Sequence, residues 1–228
     1  IIEETQYGQA LEKKEDTARI YVNGVKVAEE ENFLFSYNIT SLTKAIRKAL
    51  NRERTNVGRS AYSTRVKSIL LDCQEKNIAR RLVDDLKNYQ AGTTHDELKW
   101  IDVSVHACKL LNSLEKVVFF TATELVHAKD MVDKATNDGY TIITIPENVK
   151  EKISGLEDDS GNVIRDLDQF RVEWNESFEF KFIDEQNMSS QERRIFRLTN
   201  TILKLAGGKP KVVKEVKISE TMRMETHT

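Results

Sequence analysis

Cysteine is scarce in this sequence: its 228 residues include only Cys73 and Cys108. That excludes a small disulfide-stapled module, and a chain of this length hides roughly 70–75% of its unfolded surface, enough to fold without staples. Each cysteine adjoins an apolar helical stretch, Ile69-Leu70-Leu71 or Leu110-Leu111, so both are expected as buried reduced thiols. Long hydrophobic runs are also missing. Nothing approaches the ~18–20 apolar residues of a membrane span, and no signal peptide, transit peptide or lipidation motif is visible. A cytoplasmic protein with no membrane partner is the expectation.

The chemistry-bearing motifs are equally thin. Four histidines are too scattered for a metal cluster. Glu124-x-x-His127 supplies once a spacing that di-iron bundles need twice. Gly207-Gly208-Lys209 lacks the Walker spacing, and Pro210 stands where Ser or Thr should follow, so it reads as a helix stop. Asp158-Asp159-Ser160-Gly161-Asn162 carries its glycine too early for an EF-hand. With no Gly-x-Ser-x-Gly elbow and no dinucleotide fingerprint, no metal site and no self-sufficient active site are expected. Internal repeats and low-complexity segments are absent. The chain opens on Ile1 rather than methionine and stops at Glu225-Thr226-His227-Thr228 without a cap, so both ends are expected to be cut edges of a longer chain.

What is present is a charge asymmetry. The net charge is only −2, yet residues 44–67 hold Lys44, Arg47, Lys48, Arg52, Arg54, Arg59, Arg65 and Lys67 against one acid, Glu53. A local cluster on an otherwise acidic chain suits a discrete anionic partner better than general nucleic-acid coating.

Residues 1–16 are polar and read as a flexible lead-in. Alternation in Ala18–Val22, then Asn23-Gly24 and Val25–Val27, predicts a hairpin, and Phe33–Ile39 predicts a third strand. A helix capped by Ser41 carries Leu42, Ile46, Ala49 and Leu50 on one face; a loop spans 51–59. Helical spacing then runs from Tyr62 to Tyr89, and again from Ile101 to Leu114. A second unit begins near Glu115: an apolar strand at Val117–Phe120, a helix to Ala135, and a strand at Tyr140–Ile145 make a β-α-β unit. Phe170–Ile183 reads as strand with an interruption at Trp174–Glu176, Ser189 or Ser190 caps a helix to Leu205, and Val212–Ile218 reads as a last strand. The organisation expected is a lead-in (1–16), a β-α domain with helical extension (17–114) and a smaller α/β domain (115–228).

Arg52 and Arg54 on the 51–59 loop carry the planar fork that binds phosphate through two parallel charge-assisted bonds, with Glu53 placed to orient either one. The bland alternative is a solvated basic face. Ala18–Val27 with its Val-Asn-Gly strand pair, followed by Ala45-Ile46-Arg47-Lys48-Ala49, resembles the transducer of the DNA mismatch-repair MutL proteins. Leu50-Asn51-Arg52-Glu53 before a helix at Tyr62–Leu71 resembles the middle domain of the ninety-kilodalton heat-shock chaperones. Both belong to the GHKL group of ATPases (gyrase, heat-shock chaperone, histidine kinase, MutL). The chain as a whole is similar to bacterial chaperone-like members of that group through Phe33–Ile39, Asn51–Arg54 and Ile218–Arg223.

The resemblance implies an α/β transducer layer like the ribosomal-protein-S-five fold, coupling ATP binding in a preceding domain to movement of the rest. It implies ATP and Mg2+ as cofactors of the whole protein, none in this fragment, and the chain's own N-terminal ATPase domain as partner, with a possible homodimer. It puts Arg52 at the γ-phosphate as the catalytic group, with Asn51 and Arg54 beside the nucleotide. In the chaperone motif two residues separate Asn from Arg, whereas Asn51 and Arg52 are adjacent, which leaves Arg54 as the alternative counterpart. Two other classes stay open: a nucleic-acid-binding module using 44–67, which lacks interleaved aromatics, and an enzyme site on the strand ends of 116–146.

Overall fold

A computed structural model describes residues 1–52, 57–89, 91–177, 179–209 and 214–217. It divides into two units, residues 1–170 and 171–228.

The first unit is a mixed α/β structure built on one five-stranded sheet. Its strands are β1 (Glu3–Thr5), β2 (Gly8–Leu11), β3 (Ala18–Val22), β4 (Val25–Glu30) and β5 (Ser36–Ile39). The spatial order is β1-β2-β5-β3-β4, with β5 antiparallel to β2 and parallel to β3. Period-two alternation turns Ala18, Ile20 and Val22 inward beside Tyr37 and Ile39, all buried. The Asn-Gly turn forms as the sequence implies: Asn23 and Gly24 both take positive φ, 49° and 80°. Phe33–Phe35, expected as strand, instead turns into the core ahead of β5.

Residues 1–16 are not a frayed lead-in. They supply β1 and β2, and β2 pairs along the full length of β5 from Gly8↔Ile39 to Leu11↔Ser36. The segment reads as polar because its inward positions are only Gly8 and Ala10. Gly8 is there for space: a Cβ would lie 2.3 Å from the Asn38 carbonyl oxygen and 2.9 Å from Ile69 Cδ1, at φ +153°.

Four helices follow, α1 (Lys44–Arg52), α2 (Arg59–Asp72), α3 (Lys76–Leu86) and α4 (Ile101–Leu114); α2 packs on β2 and β5, α1 and α4 pack against α2, and α3 packs against α4. Thr43, not Ser41, caps α1, its Oγ accepting from the Ile46 N–H. The long helical stretch of 62–89 breaks at Cys73 because the Glu3 carboxylate takes the Gln74 and Glu75 N–H groups at 2.7 and 3.0 Å. Ile46, Tyr62, Val66, Ile69, Leu82 and Leu111 join the sheet residues in one core, where Cys73 and Cys108 are free and buried.

The same core continues into β6 (Val117–Phe120) and β7 (Thr141–Thr144), a parallel pair joined by α5 (Ala122–His127) and α6 (Lys129–Asn137). The division therefore falls after Phe170 and not at Leu114. The crossover expected as one helix breaks at Ala128. After α7 (Glu147–Ile153), residues around Asp166 lie beside β6 in parallel, with the Phe119 N–H donating to the Arg165 carbonyl. Phe170–Ile183, expected as strand, is strand only at Glu179–Phe182; its first half belongs to α8 (Leu167–Glu176). Leu167, Phe170 and Trp174 are buried at helical spacing, and Asp166 caps the helix through the Gln169 N–H.

The second unit contains a two-stranded antiparallel sheet, β8 (Glu179–Phe182) with β9 (Lys214–Lys217), and α9 (Ser190–Leu205) between them in sequence. Ser189 and Glu192 form a reciprocal capping box at its start. Gly207, at φ 75°, ends it as expected. Among the described residues no helix is long and apolar enough to cross a membrane.

Gly8→Ala should lower the stability of the chain by about 2–3 kcal/mol, because the Asn38 carbonyl is backbone and cannot swing aside. Urea unfolding of the two proteins measures it. An unchanged midpoint would mean that β2 is not held against β5 as described.

Candidate functional site

Two polar constellations flank the loop singled out in the sequence. The first is a cleft of about 430 Å³ between α1 and the start of α2. One wall is a single face of α1, because Ala45, Lys48, Ala49 and Arg52 recur at i, i+3, i+4 and i+7. The opposite face of α1 carries Ile46 into the core. The other wall is Gly58, Ser60 and Ala61, at the amino end of α2. That end has no side-chain cap and no acid in its first turn, so the positive end of the helix dipole meets Lys48 and Arg52, and among the described residues no carboxylate lines the cleft.

Arg52 is thus the last residue of α1, exposed and on the cleft wall, while Asn51 is exposed and does not line it. Arg54 and Glu53 lie outside the described residues. The rest of the basic run is dispersed. Arg59 is paired with acids, Arg65 stacks over Tyr7 at 4.8 Å, and Lys67 meets Asp102 at 2.5 Å; Lys44, Arg47 and Lys48 are exposed on α1.

The second constellation was not visible in sequence. Arg59, one residue past the loop's glycine, donates through Nε to Glu30 at 2.7 Å and through Nη1 to Asp96 at 2.6 Å, with its guanidinium 5.0 Å from the Phe33 ring. The Tyr62 hydroxyl also meets Glu30, and Lys99 reaches Asp96 at 2.6 Å. Burial works to raise the Asp96 carboxyl, but bonds from Lys99, Arg59 and Asn32 prevail and hold it below the usual range.

Next to Asp96, on the same 3-10 turn (Asp96–Lys99), Glu97 is 0% exposed. Its Oε1 accepts from the Leu34 N–H at 2.8 Å, the Phe35 N–H at 3.3 Å and the Tyr37 hydroxyl at 2.9 Å; Oε2 receives the second arm of the Leu34 N–H, at 3.0 Å. Burial pushes the carboxyl up to about 7 against the pull of those donors. These partners lie 60 or more residues from Glu97, so neither spacing nor charge pattern announces them.

At the carboxyl ends of β6 and β7, polar groups converge mainly on one another. Glu124 closes a capping box with Thr121 and also pairs with Lys150, which reaches Asp168 at 3.3 Å. Asp158 accepts from Ser160 N–H, Asn162 N–H and Asn112 Nδ2, so its turn is held by its own side chain.

Comparison with known proteins places only part of the chain. A family described as the Mycoplasma pneumoniae MPN635 N-terminal domain matches residues 1–76. Two uncharacterised proteins of Mycoplasma pneumoniae are similar to it: one is 42% identical over 65 residues (28% of this chain and 26% of the relative), the other 36% identical over 86 residues (38% and 24%). The match therefore spans about a quarter of the length of these curated relatives. No solved structure matches. The family segment contains the five-stranded sheet, α1, α2 and the cleft, and it ends before the turn that carries Asp96 and Glu97.

Glu97 should make stability fall with rising pH. From its ordinary value of 4.5 to about 7 the folded chain holds a proton that the unfolded chain has released. Its stabilisation is complete below the lower value and lost as pH passes the upper one. Urea midpoints at pH 5 and pH 8 should differ more for the parent than for Glu97→Gln. Equal differences would mean that Glu97 stays ionised throughout.

Proposed function

We propose that this chain is the transducer region of a GHKL-type ATPase, and that its five-stranded sheet with α1–α4 is the transducer layer, similar to the ribosomal-protein-S-five fold. Its role would be to couple ATP binding in another domain of the whole protein to movement. The observation that carries the reading is the α1/α2 cleft: two cationic side chains and an uncapped helix start, with no acid among the described lining residues. That donor set suits the terminal phosphate of a nucleotide. It does not suit Mg2+, which needs carboxylate or other oxygen ligands, nor an adenine, for which the lining offers no aromatic or apolar slot. The bulk of ATP and its metal would have to be held elsewhere.

In this role Arg52 would stabilise the charge that spreads over the γ-phosphate oxygens, and Lys48 and the α2 amino end would position the group. Arg59 does not serve the nucleotide; its pairs with Glu30 and Asp96 anchor the start of α2 to the sheet edge, so movement of the loop is resisted at that end. The dispersal of Arg59, Arg65 and Lys67 among internal partners makes the basic run a poor continuous track, which favours the phosphate reading over nucleic-acid binding.

Mutation separates the ideas. In the whole protein, Arg52→Ala should leave the melting temperature nearly unchanged, because an exposed arginine contributes only about 0–1 kcal/mol, yet lower kcat for ATP hydrolysis at least about tenfold. Arg52→Lys should recover only part of the rate, lacking the bidentate fork. The 228-residue chain alone should bind ATP too weakly for calorimetry to detect at micromolar concentration. Parental turnover in Arg52→Ala and Arg54→Ala alike would remove the mechanism.

A further inference from the structure

The sixteen residues of α9 carry two stripes. Arg193, Phe196, Asn200 and Leu203 are half-buried. On another face Ile195, Leu198 and Ile202 are each more than half exposed and Leu205 is 85% exposed. Four large aliphatic side chains at i, i+3, i+7 and i+10 on water form the seam of a helix pair, with isoleucine at one core position and leucine at the other.

We propose that this face is an interface between two copies of the chain, with the two α9 helices antiparallel and centred at the level of Asn200. The spacing is self-complementary about that point: Ile195 stands opposite the partner copy's Leu205, and Leu198 opposite its Ile202, so one patch serves both copies around a two-fold axis. Beside Ile195 lies a largely apolar groove of about 450 Å³ lined by Met188, Glu192, Phe196 and Thr199, which takes the protruding leucine at the other helix's end. Charge agrees with the same register. Arg194 comes over the negative carboxyl end of the opposite helix, and Glu192 comes level with Gly208 and so beside Lys209. At mid-helix the residues beside the seam are the uncharged Thr199 and Thr201, so no charge meets its own copy there.

A basic amphipathic helix can instead lie on an anionic membrane. Two of the four cations of α9 are already committed to internal partners, Arg193 to the Glu185, Gln186 and Met188 carbonyls and Arg197 to Glu185, which leaves a thin basic face for a membrane. A second copy is the better occupant.

Four side chains bury well under the ~800 Å² per partner of a standard interface, so the dimer should be weak. Sedimentation velocity of the 228-residue chain from about 10 µM to about 1 mM should show the mass rising toward twice the monomer. Leu198→Glu, at an exposed position, should keep the far-ultraviolet spectrum and stay monomeric. Under mild oxidation, Ile195→Cys mixed with Leu205→Cys should form a disulfide-linked pair, while each variant alone should not. A chain monomeric at every concentration overturns the proposal. So do cross-links within one variant alone that form as fast as those of the mixed pair, and co-sedimentation of the monomer with phosphatidylserine vesicles that Leu198→Glu abolishes.

Discussion

One buried carboxylate holds the two layers of the first unit in register. Glu97 sits in the 3-10 turn before α4, yet its partners are the Leu34 and Phe35 amides and the Tyr37 hydroxyl at the mouth of β5. Removing a carboxylate from water is expensive unless donors replace the lost hydration. Here the donors are backbone groups that an extended strand would have turned toward a neighbouring strand. Their capture by Glu97 is the physical reason that Phe33–Phe35 leaves the sheet and drops Phe33 and Phe35 into the core. Asp96 on the same turn extends the hold to α2 and β4 through Arg59 and Glu30.

The family match makes this dependence sharper. Residues 1–76 contain the sheet and the cleft but not the turn at Asp96–Lys99. A chain cut at 76 would expose the Leu34 and Phe35 amides and leave Arg59 with one carboxylate in place of two. The sequence-similar segment and the physically self-sufficient one are different objects. A relative that shares the first must supply its own acceptor for those amides.

Local signals in the sequence were legible where one residue or one period decides the outcome. Asn23-Gly24 makes its turn, the Ile101–Leu114 stripe makes α4, Val117–Phe120 and Thr141–Thr144 pair in parallel, and Gly207 stops α9. Legibility ended where distant partners decide. β1 and β2 look like a tail because their buried positions are Gly8 and Ala10, which carry almost no hydrophobic signal. Cys73 breaks a continuous helical period because Glu3, about seventy residues earlier, offers a better acceptor to the next two amides. At Phe170–Ile183, alternation and helical spacing compete, and a cap from Asp166 settles the matter for helix over its first half. In the candidate site, the clustering of cations could be read, but not which of them would be spent on Glu30, Asp96, Tyr7 and Asp102.

The place of β5 in the sheet has a kinetic meaning. The pairs β1–β2 and β3–β4 are neighbours in sequence and can each zip from a turn, the second from Asn23-Gly24. β5 must enter between them, antiparallel to one and parallel to the other, across the loop from Val22 to Ser36. Closing such loops costs entropy before any pairing returns it, and non-local pairing slows assembly. Two ready-made ribbons therefore wait on one late strand of four residues. The ribbons present unpaired edges to other chains for as long as that strand is out, so the speed with which β5 inserts sets how long a newly made chain is open to edge-to-edge association.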